Sequence, residues 1–286
     1  MTNNIDLAQR RARLTPEQQQ RLAQRLQAAS NVLQQTSVIP RRAADERAYL
    51  SYAQQRHWFL WQLDPQGMAY HLGGTLRLRG KLDQVALEES FQMLVARHEA
   101  LRTVFRANAQ GLPEQVIEPA GRFRLTVPET QRAARVQEEV IRIHSTPFDL
   151  TQGPLLRVTL LQLAPEEHYL VVVMHHIISD AWSNRIIIDE FAACYRAHCE
   201  GQQAVMPPLS IQYADYANWQ RSFLEAGEKE RQLAYWRSQL GETHPVLQLP
   251  ADHPRPSTSN YRAAQYDFIL PSSLIERLQR QMQTRG

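Results

Sequence analysis

Apolar and polar positions along this chain follow two rhythms, and from Ser51 onward the two interleave. A helical period runs through Asp83–His98, with Val85, Leu87, Phe91, Leu94 and Val95 expected inward, and again through Ser183–His198, with Ile187, Ile188, Phe191, Ala192 and Tyr195. Shorter helices are predicted at Gln54–Leu63 and near Arg132–Ser145, and a long one, rich in aromatics, over Ile211–Gln239. Between them lie strand candidates: Gly74–Arg79, Thr103–Ala107, Gln115–Glu118, Phe123–Val127, Leu155–Leu163 and Tyr169–Met174. The last two flank the turn Pro165-Glu-Glu-His168 and read as a hairpin. An α/β (α+β) fold follows, a mixed sheet flanked by helices.

The rhythm is interrupted in two places. Residues 1–36 are polar and rich in Gln and Arg; Thr15-Pro16-Glu17-Gln18 has the form of a helix start, and Leu22, Leu26 and Leu33 give a thin stripe behind it. A linker is expected over 37–47 and a globular body over 48–244. Pro245, Pro250, Pro254 and Pro256 mark a second linker over 245–261. Beyond it, residues 262–286 offer one strand (Ala263–Leu270) and one helix (Ser272–Arg285), too little to bury a core, so a second unit is expected to be cut short.

Charge narrows the function classes. The net charge is only +3, and residues 1–47 hold eight arginines against four acids, which leaves the rest of the chain without the basic field a nucleic-acid groove needs. Cys194 and Cys199 lie five apart in one predicted helix, poor geometry for a disulfide and no zinc spacing. With no apolar leader and no run near the ~20 residues of a membrane span, a reducing, cytoplasmic location is expected.

The chemistry is concentrated at His175-His176-Ile177-Ile178-Ser179-Asp180, where the apolar run Tyr169–Met174 ends in titratable groups. Strand side chains alternate between faces, so one histidine can serve a given cavity and the other is structural. Imidazole takes and returns protons near neutrality, which suits attack on an acyl group. Opposed faces argue against chelation by both histidines, and no Gly-x-Ser-x-Gly elbow supplies a hydrolase nucleophile. Asp180 needs a cation or a helix end: Arg102 is the candidate partner, and capping of the following helix is the other reading.

Four stretches taken together resemble the ordered signatures of condensation domains of nonribosomal peptide synthetases. They are Ser51-Tyr-Ala-Gln-Gln-Arg-His-Trp58, Arg97-His-Glu-Ala-Leu-Arg-Thr-Val-Phe105, Met174-His-His-Ile-Ile-Ser-Asp-Ala-Trp-Ser183 and Tyr213-Ala-Asp-Tyr-Ala-Asn-Trp219. Pro147–Arg157 and Leu249–Pro256 are similar to further phrases of that family. The resemblance implies the first of two lobes like chloramphenicol acetyltransferase. It makes His176 the catalytic residue, His175 and Asp180 structural, and Arg102, Ala181, Trp182 and Ser183 support, with the main-chain amide at 181 near the reacting carbonyl. Ala181 stands where the family usually has Gly, and a methyl there is expected to crowd the tunnel or forbid a positive φ.

The implied reaction joins a carrier-bound aminoacyl or peptidyl thioester to the amine of an aminoacyl acceptor. Ser-x-Ala-Gln-x-Arg and His-Glu-x-Leu-Arg-Thr resemble the subtype with L-donor and L-acceptor. The implied partners are donor and acceptor peptidyl carrier proteins, which present substrates on 4'-phosphopantetheine arms, and a neighbouring adenylation domain. No bound cofactor or metal, no nucleic acid and no membrane is expected. Two readings remain beside this one: a coenzyme A-dependent acyltransferase of the same superfamily, and a non-catalytic module that binds carrier proteins.

Overall fold

The computed structural model describes residues 38–43, 45–121, 123–128, 135–243, 250, 266 and 268–285. The helix expected after Thr15 lies outside the described residues, as does most of the strand expected at 263–270. The chain divides into two compact units, Met1–Glu242 and Thr243–Gly286.

In the first unit, helix α1 (Tyr52–Leu63) begins two residues earlier than the apolar rhythm suggests, because Ser51 caps it. The Ser51 hydroxyl accepts from the Gln54 N–H at 3.2 Å, and the Gln54 side chain returns the bond to the Ser51 N–H at 3.0 Å. Strand β1 (His71–Arg79), helix α2 (Gln84–Arg97) and a tight turn at Glu99–Arg102 follow, then the antiparallel pair β2 (Thr103–Ala107) and β3 (Pro113–Ile117). Leu87, Phe91, Leu94 and Val95 of α2 are buried, whereas Val85 is exposed; two positions, about 200° of helical rotation, separate it from Leu87.

Helix α3 (Val136–Ser145) leads to the hairpin β4 (Leu156–Ala164) and β5 (Glu167–His175), the one expected from its turn. β5 lies between β1 and β4, antiparallel to both, so both its edges are paired. A central strand with most of its side chains buried explains the unbroken apolar run. Leu170, Val171, Val173 and Met174 join Leu94, Phe105, Leu155 and Leu160 in one core. The strand expected at Phe123–Val127 is reduced to a parallel bridge from Thr126 to Thr159. Pro128, which has no N–H to give, follows at once and ends it.

Helix α4 (Ala181–Cys199) packs on α2. Its inward row is Ile187, Phe191, Cys194 and Tyr195; Ile188 and Ala192, expected inside, point outward because they fall one position off that row. The long helix expected after Ile211 is broken. α5 (Tyr213–Phe223) runs into a wide turn at Leu224–Glu228 and continues as α6 (Lys229–Leu240), with Gly227 at φ 106° where the two meet.

The second unit contains helix α7 (Ser272–Arg285), as predicted, its first turn closed by Leu274 and Ile275 N–H bonds to the Pro271 carbonyl. Tyr266 and Phe268–Leu270, the described part of the expected strand, are exposed and join no ladder among the described residues.

Candidate active site

Strand β5 ends at His175, and His176 opens the turn that follows. Its N–H donates to the Tyr70 carbonyl at 2.8 Å, one residue past the strand end. His175 is buried, and its Nδ1 accepts the Ile177 N–H at 3.1 Å, while the Ile178 N–H returns to the His175 carbonyl. With Nδ1 accepting, the proton of neutral His175 sits on Nε2. Burial foremost, then the neighbouring imidazoles of His71, His57 and His176, lowers its pKa to about 3. His175 is therefore a neutral hinge for the turn, and the His176 ring is left facing a cavity of about 390 Å³.

One wall of the cavity is the N-terminal half of α1: Ala53, Gln54, Arg56 and His57. Gln54 is buried and ties three elements together, its Nε2 donating to Gln115 Oε1 of β3 at 3.2 Å and to the Ile177 carbonyl at 3.3 Å. One turn on, the His57 ring stacks on His176 with centroids 5.0 Å apart and planes 21° apart, and Tyr70 meets it edge-on at 4.8 Å. Burial, then the charges of His176 and Arg56, lowers the His57 pKa to about 4. Two like charges at that separation repel by about 3 kcal/mol at an effective dielectric near 20, which acts with burial to keep His57 neutral.

The lining also includes the apolar Leu101, Ile178, Ile186, Ile187, Leu209 and Ile211, together with Glu190. Glu190 binds Arg97 at 3.1 Å and His98 at 2.5 Å, so its charge is spent within the lining. Gln212, also in the lining, accepts from the Glu99 N–H and donates to the Arg97 carbonyl. The Tyr213 hydroxyl closes the remaining side by a 3.0 Å bond to Ser51 Oγ.

Asp180 turns out to be a cap. Its Oδ1 accepts the Ser183 N–H at 2.8 Å and the Ser183 hydroxyl at 2.7 Å, and these bonds lower its pKa, the backbone one most. The expected pair with Arg102 is not formed. Arg102 lies at the entry to β2, where Nη1 donates to the Glu118 carbonyl at 2.6 Å and Nη2 lies 3.6 Å from Glu99, whereas Asp180 meets the open N–H groups of α4 first. Ala181 is the first residue of α4 and is exposed; a helical backbone asks for no positive φ, so the strain expected from its methyl does not arise. Trp182 is 81% exposed and is not part of the cavity lining, while Ser183 is.

The Tyr213–Trp219 segment has a different task. Asp215 accepts from the Arg42 N–H at 3.1 Å, Asn218 from the Tyr49 N–H at 3.0 Å and the Gln220 side chain from the Tyr52 N–H at 3.0 Å. α5 therefore clasps the chain that leads into α1. Sequence reasoning gave no role to His57, Gln54 or Glu190. A signal was present for the first two, since residues 54, 57 and 58 share one helical face.

The condensation-domain family model matches residues 44–286. The chain belongs to that family. Malpibaldin synthetase of Mortierella alpina is 38% identical over 258 residues, which are 88% of this chain and 5% of that protein. The X-domain solved in complex with OxyB from teicoplanin biosynthesis superposes with a TM-score of 0.77 at 32% identity, over 87% of this chain and 55% of that one. The first condensation domain of the calcium-dependent antibiotic synthetase, solved with a substrate analogue, gives a TM-score of 0.60 at 24% identity, over 71% and 51% of the two chains. That likeness shows the fold alone. The chain thus spans a small part of the synthetases it matches and about half of the solved domains, and the α/β lobe expected from its sequence is the fold it shares with them.

Among the described residues no three His, Cys, Asp or Glu side chains are grouped to hold a metal ion, and no helix is long and apolar enough to cross a membrane.

Proposed function

We propose that this chain is the histidine-bearing lobe of a condensation domain that forms amide bonds between an L-configured donor and an L-configured acceptor. One observation carries the reading: a hinge built by His175, the Tyr70 carbonyl and Gln54 presents His176, and it alone of the adjacent pair, to the cavity. No hydroxyl or thiol of the described residues bonds to the His176 ring, whose Nδ1 has no partner, which suits a reaction whose nucleophile arrives with the substrate. The acceptor's α-amine attacks the donor thioester carbonyl; the C–N bond forms, His176 accepts or orients the amine proton, and the C–S bond breaks as the departing thiolate is protonated. Donor and acceptor peptidyl carrier proteins would bring both substrates on 4'-phosphopantetheine arms, beside an adenylation domain, and a second lobe would complete the tunnel.

The test is His176→Ala in the intact domain with both carriers loaded. A positioned general base contributes roughly 10²–10⁴-fold, so amide formation is expected to fall by at least about a hundredfold at an unchanged melting temperature. Wild-type turnover in that variant would remove His176 from the reaction.

A second reading, a binding module without catalysis, is favoured by the likeness to an X-domain solved in complex with OxyB. Titrating the 286-residue chain with loaded carrier protein separates the two: binding with no product under any carrier pairing supports the module, and product formation refutes it.

A further inference from the structure

We propose that His57 is a positioning residue, whose ring stacks on His176 and fixes the plane of the imidazole that meets the attacking amine. This rests on the catalytic reading of His176 and adds a residue to it. An imidazole's orientation and tautomer are ordinarily set by a hydrogen bond to the nitrogen that does no chemistry. Here that bond is missing: Nδ1 of His176 is buried without a partner, and so is Nδ1 of His57. Packing is what remains to hold the ring. His57 can supply it, because it is only 4% exposed, Tyr70 packs edge-on against it at 4.8 Å, and its helix starts from the Ser51–Gln54 capping box. The same Gln54 grips the Ile177 carbonyl, one residue beyond His176, so both members of the stack are referred to one helix start.

The experiment compares His57→Ala, which removes the ring, with His57→Phe, which keeps a flat ring and removes the nitrogens. In the intact domain, His57→Ala is expected to lower kcat about 10- to 100-fold with KM for both loaded carriers within about twofold, and His57→Phe to restore kcat to within about threefold of wild type. In the 286-residue chain, the Hα–Hβ couplings of His176, assigned by their loss in His176→Asn, should report one side-chain rotamer in wild type and His57→Phe and an average in His57→Ala. Wild-type kcat in folded His57→Ala, or an averaged rotamer in folded His57→Phe, overturns the proposal. The phenylalanine variant keeps the ring volume and decides by itself if the alanine variant does not fold. If His176→Ala is as active as wild type, the catalytic reading fails instead, and the rotamer measurement still decides whether the stack holds the ring.

Discussion

At the scale of single residues, the candidate site is held together by side chains that each bind more than one element. Gln54 illustrates the economy: its side chain closes a helix cap, joins β3 and fixes the turn after His176. Replacing it with Ala leaves the Ile177 carbonyl and Gln115 Oε1 without a donor inside the protein, at a cost of roughly 1–3 kcal/mol each. Gln54→Ala should therefore lower the urea midpoint and also slow amide formation, since the freed turn no longer fixes His176. A normal rate in a folded Gln54→Ala variant would show that the turn holds itself. The adjacent histidines were legible in the sequence because an apolar strand that ends in titratable groups is a local signal. The partner of Asp180 was not: guanidinium and carboxylate suit each other chemically, but the backbone N–H groups of α4 are nearer, and the sequence does not show which neighbour is closer.

Elements were readable wherever their boundaries are chemical. The Leu155–Met174 hairpin, α2 and the end of α4 near Gly201 emerged close to expectation because turn and cap residues act locally. The break between α5 and α6 was missed because Gly inside a helical pattern is ordinarily tolerated, and only the backbone reveals that Gly227 adopts a φ of 106°. An L-residue there is disfavoured by about 1–2 kcal/mol. Gly227→Ala is expected to lower stability by that amount with activity preserved, as read from urea unfolding and from turnover at saturating carriers; no loss would mean that the turn relaxes into continuous helix. The edge-like strand at Phe123–Val127 shows the opposite limit, for alternation was present but Pro128 leaves little ladder to join.

At the scale of the whole molecule, the buried imidazoles tie folding to pH. Unfolded histidines take up protons near pH 6.5, whereas folded His57 holds off to about 4 and His175 to about 3. Between those limits the unfolded chain binds more protons, so stability falls as pH falls, by up to about 1.4 kcal/mol per pH unit for each group, and is flat above the unfolded value. His71 and His144, lowered chiefly by burial, act in the same direction. Urea unfolding across that window should show the slope, and His57→Phe should flatten it; a pH-independent midpoint would mean the rings are charged when folded. The architecture was legible because two periodicities and four motifs span most of the chain. The reason for the Tyr213–Trp219 motif was not, since its bonds reach residues far upstream, and that reach has a consequence for biosynthesis. The Arg42, Tyr49 and Tyr52 N–H groups find their acceptors 173, 169 and 168 residues later. At a ribosome's roughly 5–20 residues per second, the segment that starts the first helix waits about 10–30 s for its clasp to be made. Through that interval, Asp215, Asn218 and Gln220 do not yet exist to close the lobe, and the nascent chain is exposed to whatever binds unfolded segments.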